Sequence, residues 1–140
     1  MDIEYYLKIK HMDSYNISFV ASGPVIIENV KVLLNREHKP NGISPWMFPG
    51  GRVEDYEKTL EEACAREVKE EMGIDIKIIK PLRPILVKKE NEVFILIHYL
   101  AERVGEIKPG EEIAQWNWHD IDNLPENCAD NVYRIINDIK

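Results

Sequence analysis

The sequence predicts an α/β domain in which a mixed β-sheet is sandwiched between helices, an α/β/α arrangement. Three observations predict it. Strand-like, β-branched runs fill the first part of the chain and return after residue 75. Two amphipathic stretches, one mid-chain and one at the end, read as helices. The regular βαβ alternation that a doubly wound parallel sheet needs is missing, so a mixed sheet between helices fits the order better.

Residues 3–9 and 17–22 read as strands, and the β-branched stretch 25–34 reads as two short strands or one bulged strand. Residues 35–45 are expected to be a polar loop containing the turn sequence Lys39-Pro40-Asn41-Gly42. A brief apolar segment, Trp46-Met47-Phe48, ends at Pro49-Gly50-Gly51. A helix follows over residues 59–72, closed by Gly73 at its C′ position. Residues 75–79 and 84–88 are short strands. Glu92–Val104 is a longer one, with Val93, Ile95, Ile97 and Tyr99 on one face, and residues 112–119 alternate as another. Residues 120–124 read as a short turn or helix before Pro125. The tail from 127 to 139 carries Val132, Ile135, Ile136 and Ile139 on one helical stripe.

At 140 residues the chain fits a single domain spanning 1–140. Hydrophobic residues make up 44 % and charged residues 31 %, enough to bury one core without disulfides or a structural metal. The formal net charge of −7 argues against general binding to nucleic acid or to an anionic membrane. A phosphorylated substrate stays open, because divalent cations supply positive charge locally. A homodimer stays open as well. Cys64 and Cys128 have no metal-ligand spacing with each other or with the four histidines, and Cys64 reads as a small core residue. The start, Met-Asp-Ile-Glu-Tyr-Tyr, lacks a signal-peptide layout, and the apolar run from Val93 to Ile97 is too short to span a bilayer. The expected compartment is a reducing cytoplasm.

The mid-chain helix carries acids where apolar residues belong. With Leu60 at zero on a helical wheel of about 100° per residue, Cys64, Val68, Met72 and Ala63 define an apolar arc. Glu71 falls at roughly 20° and Glu67 at roughly 340°, inside that arc, and Glu70 at roughly 280°, on its edge. The i, i+3, i+4 spacing brings the three carboxylates together on the helix surface. Like charges so placed repel, and only protonation or a bound cation relieves them. Hard oxygen donors on a rigid helix suit Mg²⁺ or Mn²⁺. The competing reading is a solvated acidic face neutralised by lysines. The position within the apolar arc, and the glycine pair just upstream, weigh against it.

These residues resemble the Nudix box. Gly51-Arg52-Val53-Glu54-Asp55-Tyr56-Glu57 through Ala63, then Arg66-Glu67-Val68-Lys69-Glu70-Glu71-Met72-Gly73-Ile74, follows its run from a glycine, through a glutamate, to Arg-Glu-(apolar)-x-Glu-Glu-x-Gly-(apolar). Trp46-x-Phe48-Pro49-Gly50-Gly51 is similar to the usual lead-in. The segment from Glu111-Glu112-Ile113 to Trp116, with Leu124-Pro125, is similar to the closing part of many members. One departure stands out: eight residues, not the family's seven, separate Glu57 from Arg66. Counted forward from Gly51 the first glutamate is Glu57, and counted back from Arg66 the position is Lys58. Glu54 is a second candidate partner for Arg66. A one-residue insertion just after Glu57 reconciles the counts.

The resemblance implies a pyrophosphohydrolase that cleaves a diphosphate bond in a nucleoside diphosphate linked to another moiety, a nucleoside triphosphate among the candidates. It implies Glu67, Glu70 and Glu71 as ligands of Mg²⁺ or Mn²⁺ with the Gly50 or Gly51 carbonyl nearby, and Arg66 as the residue that orients them. Glu67 is the first choice of general base, with Glu112 or Glu111 behind it. Arg36 and Arg52 flank the expected site and could meet phosphates, and Trp46 could stack a base, although core or surface roles compete in each case. Trp116 and Trp118 share a strand face, as a buried pair or a stacking platform. Two other readings compete: a catalytically weak nucleotide-binding module of the same fold, and an acidic interaction domain that binds no metal.

Overall fold

The computed structural model describes residues 17–140, and the strand expected at 3–9 lies outside the described residues. Eight strands and two helices follow in the order β1 (Phe19–Glu28), β2 (Lys31–Lys39), β3 (Gly42–Ile43), β4 (Gly51–Arg52), α1 (Leu60–Met72), β5 (Asp75–Pro81), β6 (Ile85–Lys89), β7 (Glu92–Val104), β8 (Ile113–Asp120) and α2 (Asp130–Ile139). The sheet is mixed, as predicted. β1 and β7 pair in parallel from Phe19↔Phe94 to Ile26↔Ala101, and the other ladders are antiparallel.

Two boundaries differ from the sequence reading, each for a physical reason. The stretch 25–34 contains a two-residue hairpin turn at Asn29 and Val30, both at positive φ (51° and 60°). Positive φ at both central positions is the primed-turn geometry that suits strand twist, and it is ordinarily signalled by Asn-Gly; a β-branched valine there hides the turn. The expected loop 35–45 is instead the second half of β2, a turn at Pro40-Asn41 and the short strand β3. The polar run Asn35-Arg36-Glu37-His38-Lys39 stays extended because β8, β3 and Met47 supply backbone hydrogen bonds on both sides.

Side-chain alternation divides the core between the two sheet faces. On one face Val25, Val32, Leu34, Trp46, Phe48 and Ile85 pack against Val132, Ile135 and Ile136 of α2. On the other, Val20, Ile97 and Tyr99 meet Leu60 and Cys64 of α1, while Ile26, Leu33 and Ile74 meet Val68 and Met72. Among the described residues no helix is long and apolar enough to cross a membrane.

Helix α1 begins and ends where its sequence says. The Thr59 hydroxyl accepts the Glu62 N–H at 3.0 Å, a cap that stabilises a helix start by about 1 kcal/mol. The Glu62 carboxylate reaches back to the Lys58 N–H at 3.2 Å. Gly73 closes the helix in the left-handed conformation, φ 71°, and its N–H meets the Lys69 carbonyl. The following loop is tied to the same end, with Lys108 N–H donating to Met72 O and Gly110 N–H to Glu71 O. Both ends of the helix are therefore fixed, and its acidic face is held against β2 and the glycine loop.

Candidate active site

Arg66 organises the acidic face. Its Nε and Nη2 donate to the two oxygens of Glu57, each at 2.9 Å, in the planar fork that suits a carboxylate. Its Nη1 reaches Glu67 Oε1 at 2.9 Å and Glu70 Oε2 at 3.1 Å, and Nη2 also donates to the Arg52 carbonyl at 3.0 Å. One guanidinium thus ties three glutamates to strand β4. The surrounding carboxylates hold its pKa above the ordinary arginine value, the Glu57 hydrogen bond being the main cause.

Glu57 is the partner that the sequence left open between Glu54, Glu57 and Lys58. Its side chain is 1 % exposed and also accepts the Glu54 N–H at 2.9 Å. Lys58 is exposed and sits just outside the helix cap, where its N–H meets Glu62. The extra residue is absorbed there, between Glu57 and Thr59, and the Glu57–Arg66 pair is intact. Breaking such a buried pair from one side costs about 3–5 kcal/mol.

Glu71 is buried as well, at 3 % exposure, as its place in the apolar arc predicts. Its Oε1 accepts the Gly50 N–H at 2.6 Å. Burial raises its pKa well above the usual carboxylate range, and the neighbouring Glu37 carboxylate adds to the shift. Glu67 is raised too, first by burial, with Glu70 and Glu57 adding and Arg66 opposing. Gly51 makes the close approach possible, since a Cβ there would collide with the Glu67 carboxylate. Glu70 is about half exposed and reaches the group through Arg66.

The carboxylates are already occupied by these internal partners: Glu67 and Glu70 turn to Arg66, and Glu71 to Gly50 and Glu37. In this arrangement no three acidic, histidine or cysteine side chains among the described residues form a ready set of metal ligands. The chemistry of the donors nevertheless fits a hard divalent cation. Several carboxylates converge, one is buried with its pKa raised beside another, and Gly51 carries no side chain to hold the Glu67 carboxylate away from its backbone.

Glu37 is the member of this carboxylate cluster that the sequence reading missed. It projects from the end of β2, its side chain 14 % exposed, and hydrogen-bonds Glu71 while Lys39 Nζ holds its Oε2 at 2.8 Å. The signal was period-2 alternation, Leu33-Asn35-Glu37, which emerges only once β2 is extended to Lys39.

The residues expected to meet substrate are placed differently. Arg36 projects from the opposite face of β2 to Glu37. It donates to the Ser44 carbonyl at 2.8 Å and lies 5.7 Å from the Trp46 ring centroid. Trp46 is 9 % exposed, packed in the α2-side core and edge-on to His119. Neither belongs to the carboxylate site, because strand alternation turns them away from it. Arg52 contributes its backbone carbonyl to Arg66, while its guanidinium lies over the Phe19 ring at 3.9 Å. Trp116 and Trp118 do share a face, and both pack against the Leu33–Val68–Met72 core. Glu112 is exposed, at the near end of β8, and its carbonyl accepts the His38 N–H at 2.8 Å. Glu111 is likewise exposed.

Comparison with known proteins agrees with this geometry. Residues 19–138 match the family model of the NUDIX domain. The chain is 32 % identical over 115 residues to an ADP-ribose pyrophosphatase of Methanocaldococcus jannaschii, covering 79 % of this chain and 67 % of that one. It is 30 % identical over 110 residues to an 8-oxo-dGDP phosphatase of Danio rerio, covering 75 % of this chain and 33 % of the relative. Against several curated relatives, therefore, the chain spans only about a third of their length. The crystal structure of a MutT NUDIX hydrolase from Burkholderia pseudomallei superposes with a TM-score of 0.78 at 26 % identity, covering 87 % of this chain and 98 % of that one. The mixed sheet between two helices, the glycine loop and the arginine-tied glutamates of α1 together place this chain in the Nudix hydrolase family.

Proposed function

We propose that the chain is a metal-dependent pyrophosphohydrolase that cleaves a diphosphate bond in a nucleoside diphosphate linked to another group, using Mg²⁺ or Mn²⁺. The observation that carries this reading is the convergence of Glu67, Glu70 and Glu71, fixed by Arg66 and by the Gly50 N–H, at the mouth of the glycine loop. Glu67, Glu70 and Glu71 would hold the cation with the Gly51 carbonyl. When bound, it supplies positive charge for the phosphoryl oxygens and lowers the pKa of water. Arg66 keeps the glutamates in register and, by its grip on the Arg52 carbonyl, keeps α1 in register with β4. Glu67, against Gly51 at the surface of the cluster, accepts the proton of the attacking water, and Glu112 or Glu111 is the alternative base from the β8 side. Arg52 is the remaining cation that could approach phosphate, by leaving the Phe19 ring.

Substrate choice draws support from the relatives. Those compared act, by name, on 8-oxo-dGDP and on ADP-ribose. The Trp46-x-Phe48-Pro49-Gly50-Gly51 lead-in leans toward nucleoside triphosphates. The test is phosphate or pyrophosphate release from a panel of nucleoside di- and triphosphates, 8-oxo forms, ADP-ribose and nucleotide sugars, with Mg²⁺ and then with excess chelator. Turnover of one of these classes that disappears with chelator is expected. Full turnover in chelator would contradict the mechanism, and no turnover of any of them would favour a binding module.

A further inference from the structure

The carboxylates of α1 have a counterpart on β2. Leu33, Asn35 and Glu37 project from one face of that strand. Leu33 enters the core with Val68 and Met72, and Glu37 meets Glu71. Asn35, between them, is 0 % exposed, and neither Oδ1 nor Nδ2 has a hydrogen-bond partner among the described residues. Its backbone exchanges hydrogen bonds with Met47, three residues before Gly50, whose N–H holds Glu71. Strand alternation therefore puts the Asn35 side chain on the face of β2 that carries Glu37, and its backbone is paired to the segment that leads into the glycine loop.

Glu37 is placed with the same care. Its N–H donates to Ser44 Oγ at 2.8 Å, and its carbonyl accepts the Ser44 N–H at 2.9 Å. A clamped backbone that drives a second carboxylate against a buried one is unfavourable without a compensating positive charge. Lys39 supplies part of it, but Lys39 is about half exposed and bound from the solvent side. An amide buried with its donor and acceptor both unmet is unfavourable as well. A hydrated divalent cation answers both at once: its charge joins the carboxylates, and its retained waters offer the amide hydrogen-bond partners.

Building on the metal-dependent reading above, we propose that β2 contributes Glu37 as a fourth carboxylate of the cation site, and that Asn35 binds a water of that cation's shell. The site then bridges α1 and β2 instead of belonging to the helix alone. A purely structural pair, in which Glu37 and Glu71 share a proton and Asn35 keeps an isolated water, gives different results in a metal titration.

The experiment is Mn²⁺ binding to the substrate-free protein, read by electron paramagnetic resonance, for the native chain and for Glu71→Gln, Glu37→Gln and Asn35→Leu. Melting of each metal-free variant is measured alongside. Glu37→Gln is expected to weaken Mn²⁺ by about a hundredfold, and Asn35→Leu by about tenfold. Asn35→Leu keeps the branching and the number of heavy atoms and removes the unmet amide, so its metal-free melting temperature should equal or exceed the native value. Weakened binding without lost stability is a result that a structural role does not give. Native affinity in Glu37→Gln, with Glu71→Gln impaired, overturns this proposal and leaves the α1 site standing. Native affinity in Glu71→Gln, or no Mn²⁺ binding by the native chain, overturns the metal-dependent reading itself and this proposal with it.

Discussion

The two faces of the sheet are built to different standards. Under α2, Val132, Ile135 and Ile136 meet Val25, Val32, Leu34 and Ile85, aliphatic against aliphatic. Of the polar side chains there, His98 is satisfied at both ring nitrogens, Nδ1 by the Gly23 carbonyl and Nε2 by Asn131 Nδ2, each at 3.1 Å, while His119, edge-on to Trp46, keeps a buried Nε2 without a partner among the described residues. Under α1 the same sheet buries Glu57 and Glu71, draws Glu37 against Glu71 and leaves the Asn35 amide without a partner among the described residues. The difference teaches that the α2 face supplies packing, while the α1 face holds carboxylates together, the arrangement that the proposed cation site requires. Violations of folding rules concentrate where function is expected to lie.

Changes on the two faces should therefore separate activity from stability. The largest expected effect is on turnover. Glu67→Gln should lower kcat by about a hundredfold or more, as loss of transition-state charge stabilisation does, and leave the melting temperature nearly unchanged. Steady-state kinetics beside a thermal melt checks it; a large loss of stability at native kcat would reverse the roles of the faces. Next in size, Ile135→Ala on α2 should cost about 2–5 kcal/mol of stability by leaving a cavity, with kcat per folded molecule unchanged. Denaturant unfolding measures the first quantity and kinetics the second. A drop in kcat of the folded fraction would show that the α2 face does shape the site.

A smaller effect concerns acid. Burial lowers the His98 pKa to about 4, from an ordinary value of 6.5. A histidine with a depressed folded-state pKa contributes stability that is present above its unfolded pKa and lost as pH falls from about 6.5 towards 4. Glutamine at this position can donate to Gly23 and accept from Asn131 without titrating. His98→Gln should consequently flatten the loss of stability over that window, measured by denaturant unfolding at a series of pH values. An unchanged slope would mean that His98 binds its proton as readily in the fold as in the unfolded chain.

Much of this was legible in the sequence, and the failures share one cause. The α1 helix, its Thr59–Gly73 limits and the burial of Glu71 follow from 3.6-residue periodicity, which polar side chains at Glu67 and Glu71 interrupt without hiding. The α2 stripe was equally plain. What periodicity could not supply was strand partnership. The Asn29-Val30 turn lacks the glycine that announces such turns, and the polar half of β2 reads as a loop until β8 is paired to it. That single misreading hid Glu37 and Asn35. It also left the direction of Arg36 open, although its neighbour Glu37 faces the site and Arg36 does not. The Glu57–Arg66 pair is a tertiary fact of the same kind, because counting residues cannot say where an inserted one is absorbed.

The central claim is that the α1 face stores charge repulsion that a divalent cation relieves, and melting of Glu71→Gln against the native protein tests it most directly. The raised Glu71 pKa means that stability in the metal-free protein is greatest below the ordinary carboxylate range and is lost as pH rises towards the folded-state value. In chelator at mildly alkaline pH, Glu71→Gln should therefore melt at the same temperature as the native chain or higher. Saturating Mg²⁺ should raise the native melting temperature by mass action and raise that of the variant clearly less. A variant that melts well below the native chain in chelator, and gains as much from Mg²⁺, would contradict the account.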